Sequence, residues 1–376
     1  MRAIVALFLT PGVLVASPLT FDLAPGGNGA GHPAYDESTG FGFDPGPAER
    51  FSVRVPEGNY RVSLVFDGRT GTAVYAEQRR FCGTEPGSFV VNVRTPALGD
   101  LPANATGGTT VRLKPREIGA ANWDERLTLE FDPALASLRS ITVEPVDVPT
   151  LYLAGDSTVT DQPDAPNASW GQRLPAFFTP DIAIANHAES GETLKSFVTE
   201  QRLDKLLSRL RAGDWVMIQF GHNDQKSTWP QTYAEAATTY RDWLRTYIAE
   251  VRRRGATPLL VTSPERRNFD SDGRIRPSLA EYAAAMRVVA HEQKVALLDL
   301  NATSIRLYEA LGPAVAPSAF ADDGNDKAHH NEYGARLMAR AVIEALRTSD
   351  LTLSAGLADH IASDAGIFDV AKPPLP

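Results

Sequence analysis

The pattern of apolar and polar positions changes once along the chain, near Pro149. Before it, the two kinds of residue alternate in short runs over residues 51–55, 60–66, 89–93, 109–113, 126–131 and 140–144. Turn residues such as Pro56-Glu57-Gly58-Asn59 and Asp67-Gly68 separate them. A period of two between turns marks half-buried strands, and many short ones predict an all-β sandwich over residues 17–147. After Thr150, continuous apolar runs appear at 151–154, 182–186, 215–220, 258–262 and 295–300. Helical spacing fills 170–178, 205–211, 233–254, 280–293 and 332–347 between and after them. Buried strands alternating with helices predict an α/β domain over 150–348, with a parallel sheet covered on both faces. Residues 349–376 carry no strong pattern and are expected to form a tail.

Composition narrows the partners. At 376 residues, 43% hydrophobic and 22% charged, the chain is ordinary for a two-domain globular protein. Its net charge of −9 argues against nucleic acid, because phosphate binding needs clustered Lys and Arg. An anionic substrate would have to be held by local arginines. The single cysteine, Cys82, allows neither an intramolecular disulfide nor a Cys-rich metal site. Residues 1–16 read as a secretory signal peptide: Arg2, a short apolar core, then Ala16 before Ser17. That predicts a secreted or periplasmic protein; the other reading is a first strand or leader on a cytoplasmic one. No other segment approaches transmembrane length, so no membrane partner is expected. No pattern specifies an oligomeric state.

Four short blocks carry the chemistry. Gly155-Asp156-Ser157 breaks the first α/β strand at its carboxyl end, where sites are built in open α/β sheets. Ser157 is there either a nucleophile or the N-cap of a following helix. Gly191, after the second strand, either presents its N–H to a ligand or serves an ordinary turn. Asn223, in Gly221-His222-Asn223-Asp224, either donates to an oxyanion or makes an Asx-turn. His329 and Asp326 have the spacing for a general base and the carboxylate that fixes its tautomer. Alternatively the pair decorates a solvated loop, or His329 and His330 bind a metal. Adjacent histidines converge poorly on one centre, so no metal is expected.

In this order the blocks resemble the SGNH (GDSL-like) hydrolase superfamily, over roughly residues 150–348. Gly155 to Val159, Asn186 to Phe197, Gly221 to Asp224 and His329 to Ala335 resemble its rhamnogalacturonan acetylesterase branch. The resemblance implies a three-layer α/β/α fold and deacetylation of an acetylated pectic polysaccharide or oligosaccharide without cofactor. It implies Ser157, His329 and Asp326 as the triad, and Ser157, Gly191 and Asn223 as the oxyanion hole. The β-sandwich is similar to the extra domain of two-domain bacterial members. Rival readings are an SGNH esterase acting on xylan or another acyl ester, and a non-catalytic carbohydrate-binding protein.

Substrate contacts are expected among His222, Asp224, Arg266, Arg267 and His330, with Trp170 and Trp229 nearby. Arginines pair with uronate carboxylates and aromatic faces stack on sugars. Trp123 and Tyr75 are either a sugar platform or core aromatics.

Overall fold

The computed structural model describes residues 17–363, apart from 25, 28, 30, 47–48, 70, 100–106 and 133–136. The expected signal peptide therefore lies outside the described residues. The amino-terminal β region holds β1 (Leu19–Asp22), β2 (Phe41–Asp44), β3 (Glu49–Arg54), β4 (Gly58–Phe66) and β5 (Ala73–Ala76). It continues with β6 (Arg80–Thr84), β7 (Ser88–Val93), β8 (Arg126–Asp132) and β9 (Leu138–Pro145). They form two antiparallel sheets, ordered β1-β9-β4-β7 and β2-β3-β8-β5-β6. Alternate side chains meet between the sheets. Val62, Val91 and Ile141 come from one, Phe51, Leu127 and Leu129 from the other. Each such side chain contributes ~1.5–3 kcal/mol on burial.

The run at 109–113 does not join either sheet. Thr110 makes one isolated bridge to Ala97, and the chain then runs through two 3₁₀ turns, Pro115–Glu117 and Ala121–Trp123. The reason is tertiary. Val111 and Trp123 bury with Leu98 in a small cluster of their own. The Arg112 N–H meets the Glu200 carbonyl of the neighbouring layer at 3.0 Å.

The second region is a five-stranded parallel sheet: β10 (Thr150–Gly155), β11 (Ala183–Asn186), β12 (Trp215–Gln219), β13 (Thr257–Val261) and β14 (Ala296–Leu298). Their order is β11-β10-β12-β13-β14. The helices are α1 (Trp170–Arg173), α2 (Leu194–Thr199), α3 (Arg202–Arg209), α4 (Thr239–Arg253), α5 (Ala280–Gln293), α6 (Leu300–Val315) and α7 (Glu332–Arg347). Leu151, Leu153 and Met217 face one layer with Leu307 of α6 and Met338 of α7. Tyr152, Val216 and Ile218 face the other with Phe197 of α2, Leu206 of α3 and Leu244 of α4. This is the expected three-layer α/β/α architecture, preceded by antiparallel sheets. Three helices escape the sequence pattern, one of them a short turn of helix past α7, α8 (Leu351–Ser354). α2 is only six residues long, and α6 is broken at Gly312 (φ 74°) before Pro313. Past α7 the chain still packs: Leu357 is buried, and Trp215 Nε1 donates to the Ser354 carbonyl at 2.9 Å.

From β10 the chain crosses first to β11 and then, on the other side, to β12. That switch point opens a crevice at the carboxyl ends of three strands. Among the described residues, no helix is long and apolar enough to cross a membrane.

Candidate active site

Ser157 sits two residues past β10 on a tight turn. Gly155 is required there: a Cβ would lie 2.6 Å from Val159 Cγ2 and 3.0 Å from the Gln219 carbonyl. Asp156 builds the turn, with Oδ1 accepting from the Thr158 N–H at 3.0 Å and from its hydroxyl at 2.9 Å. Gln162 Nε2 donates to the Ser157 carbonyl at 2.7 Å. Ser157 caps no helix, since α1 begins at Trp170 behind its own cap, Ser169.

Instead, Ser157 Oγ lies 2.9 Å from His329 Nε2, and His329 Nδ1 lies 2.8 Å from Asp326 Oδ2. The other carboxylate oxygen accepts the N–H groups of Ala328 and His329, at 2.7 and 2.8 Å. Burial raises the Asp326 carboxyl, but these amides and the imidazole outweigh it and hold it below the usual range. With Nδ1–H directed at that carboxylate, Nε2 offers its lone pair to the serine hydroxyl. Such a relay can take the Ser157 proton as Oγ attacks an acyl carbon.

A cavity of about 680 Å³ opens over this relay. Gly191 and Asn223 both line it. Gly191 has φ 85°, where an L side chain is strained. Asn223 Nδ2 donates to the Glu192 carbonyl at 3.0 Å, and its Oδ1 accepts from Lys226 Nζ at 2.7 Å. Burial pushes the Glu192 carboxyl up to about 7, with Lys114 and Arg202 pulling it back.

The expected substrate contacts divide. Arg266 and His222 line the cavity. His222 Nε2 pairs with the Pro264 carbonyl at 2.9 Å, and burial lowers the ring to about 3, so it is neutral. Asp224, Arg267 and His330 do not reach the cavity. Asp224 is fully buried, accepts the Leu194 N–H at 2.9 Å, and is pushed up to about 7 by burial. His330 turns away from His329 to meet the Tyr308 hydroxyl at 2.8 Å and lies against Phe320. Arg267 donates to the Gly324 and Asp326 carbonyls and lies over Phe320, bracing the Asp326–His329 loop from behind. Trp170 is buried, its Nε1 donating to Gln219 Oε1 at 2.8 Å. Trp229 is exposed, with Lys226 Nζ 4.3 Å from its ring centre. Trp123 is a core residue under Arg94, and Tyr75 packs on Phe81. Among the described residues, no three His, Cys, Asp or Glu side chains form a metal cluster.

The sequence pattern missed the contribution of the β region. Gln78, Arg116 and Glu117 line the cavity together with Ser157. Glu117 holds Arg202 through two bonds of 2.9 and 2.5 Å. The charged run Lys114-Pro115-Arg116-Glu117 was the one available signal, and it has no period to place it.

An α/β/α layer with a serine–histidine–aspartate relay at its switch point defines an SGNH-type hydrolase. The profile of the GDSL-like lipase/acylhydrolase family matches residues 153–337. The chain belongs to this family and is a carboxylic ester hydrolase. It is 38% identical over 229 residues to rhamnogalacturonan acetylesterase RhgT of Bacillus subtilis (strain 168), covering 57% of this chain and 95% of that protein. It is 35% identical over 207 residues to the probable rhamnogalacturonan acetylesterase YesY of the same strain, covering 54% and 95%. The crystal structure of Bacillus subtilis YxiM matches with a TM-score of 0.53 at 23% identity, over 88% of this chain and 98% of that one. That likeness shows the shared fold, antiparallel sheets included.

Proposed function

We propose that the protein removes O-acetyl groups from an acetylated plant cell-wall polysaccharide, rhamnogalacturonan or a related pectin, through an acetyl-serine intermediate. The observation that carries this reading is the unbroken Ser157–His329–Asp326 relay under an open cavity. Ser157 Oγ bonds to the acetyl carbon while its proton passes to His329 Nε2. The oxyanion is held by the Ser157 and Gly191 N–H groups and the Asn223 amide. The acetyl C–O bond to the sugar then breaks, and His329 returns the proton to the sugar oxygen. Water, deprotonated by His329, repeats the attack and releases acetate.

The pectic assignment is supported by the names of RhgT and YesY. It is also supported by Lys226 and Arg266, which line the cavity beside Arg116, itself paired with Glu189, in a chain whose net charge is −9. Cations there suit a uronate carboxylate. The same reading makes residues 17–147 an accessory sandwich and 150–348 the catalytic domain, onto which the segment after 349 packs through Ser354 and Leu357, and export directed by residues 1–16 would bring the enzyme to its polymer.

The test is acetate release from acetylated rhamnogalacturonan and acetylated xylan, with Ser157→Ala as the blank. Release from the pectic polymer, lost in the variant, is expected. Preference for xylan would keep the relay and discard the pectic assignment. No release from either would overturn the reading.

A further inference from the structure

Gly191 N–H shares its peptide unit with the Ser190 carbonyl, and that carbonyl is gripped from outside the α/β layer. Lys114 Nζ donates to it at 2.7 Å and Arg116 Nη2 at 2.6 Å. Both cations come from the loop between β7 and β8, in the amino-terminal β region. We propose that Lys114 and Arg116 are positioning residues for ester hydrolysis: they fix the Ser190–Gly191 peptide with its N–H toward the oxyanion and strengthen that N–H as a donor. The inference rests on the assignment of Gly191 as an oxyanion donor.

The geometry follows from the peptide itself. In a trans unit the C=O and N–H point opposite ways, so a carbonyl held against two cations aims the N–H away from them. Gly191, at φ 85°, does not hold that plane alone, because glycine crosses φ/ψ space at little steric cost. Bonds from ionised donors are about twice as strong as neutral ones. They also polarise the amide, by ~10–30% per bond in a cooperative chain.

The clamp is braced in turn. Lys114 pairs with the Glu192 carboxylate, and Arg116 with Glu189 Oε1 through bonds of 2.8 and 2.5 Å. The Lys114 N–H donates to Glu117 Oε2 at 2.8 Å, and Glu117 is locked to the fully buried Arg202 at the start of α3. The 114–117 loop is therefore pinned to the layer whose donor it orients.

Steady-state hydrolysis of p-nitrophenyl acetate by the full chain tests this, because a small neutral ester has no carboxylate for the cations to bind. The Lys114→Met/Arg116→Ala variant is expected to lose ~10–100-fold in kcat, short of the ~10²–10³ of deleting a donor outright, with KM within about twofold. Lys114→Arg and Arg116→Lys, which keep the donors, are expected to restore most of it. If the double variant's circular dichroism shows misfolding, Arg116→Ala alone, at a half-exposed side chain, carries the reading with a loss of ~3–10-fold in kcat. Unchanged kcat beside a crippled Asn223→Ala enzyme would overturn the clamp and leave the hydrolysis reading intact, as would a loss confined to KM. A wild type no faster than Ser157→Ala would overturn both.

Discussion

Arg80 Nε donates to Asp161 Oδ2 at 2.6 Å, with both side chains closed to solvent. This pair joins the β6 edge of the sandwich to the segment that follows Ser157. Asp161 Oδ1 also accepts Asn186 Nδ2 at 2.8 Å, so one carboxylate ties three elements together. Removing one partner of a buried pair strands the other charge and costs ~3–5 kcal/mol. Arg80→Met is expected to lower the unfolding free energy by about that much in urea titrations. A loss below ~1 kcal/mol would put this pair with exposed ones and count against the role given to it.

Asn223→Ala separates catalysis from folding. The side chain makes two hydrogen bonds, to the Glu192 carbonyl and from Lys226, each worth ~0.5–1.5 kcal/mol net. The fold should survive their loss. Turnover of p-nitrophenyl acetate is expected to drop ~10²–10³-fold. Near-full activity would remove Asn223 from the oxyanion hole.

Arg267 distinguishes support from substrate binding. It holds the Gly324 and Asp326 carbonyls and lies outside the cavity. Arg267→Ala should loosen the loop that delivers His329, and small displacements at a reacting centre cost up to ~10²-fold in rate. The expected result is a lower kcat on both p-nitrophenyl acetate and the pectic polymer, with KM for the polymer little changed. A rise in polymer KM alone would return Arg267 to substrate contact.

Four blocks were legible as neighbours in space: Ser157, Gly191 and Asn223 follow β10, β11 and β12, and Asp326–His329 lies in the loop between α6 and α7. The layers were legible because period-2 runs and continuous apolar runs bury differently. Direction within the coils was not. Arg266 faces the cavity while Arg267 lies over Phe320; His329 meets Ser157 while His330 meets Tyr308. Neighbours in sequence leave opposite sides of the chain, and only packing decides which side is the cleft. The 114–117 loop was hidden for a related reason: its register is set by Arg202 and Ser190 rather than by a period of its own.

Asp224 predicts a pH dependence with a definite sign. Its side chain is fully buried, Oδ1 accepts the Leu194 N–H, and Oδ2 has no hydrogen-bond partner among the described residues. Burial therefore pushes the carboxyl from 3.8 up to about 7. Between these values the folded chain keeps a proton that the unfolded chain has released. Stability from this group is full below the unfolded value and is lost as pH rises through the folded one, with a slope of at most ~1.4 kcal/mol per pH unit. Glu77, raised by burial to about 8, adds a slope of the same sign. Asp224→Asn keeps an acceptor for Leu194 and cannot ionise. Urea titrations at pH 5, 6 and 7 should show the variant gaining on the wild type as pH rises, by up to ~1.4 kcal/mol per unit. Parallel curves would mean that Asp224 is ionised throughout, and that an unseen partner satisfies Oδ2.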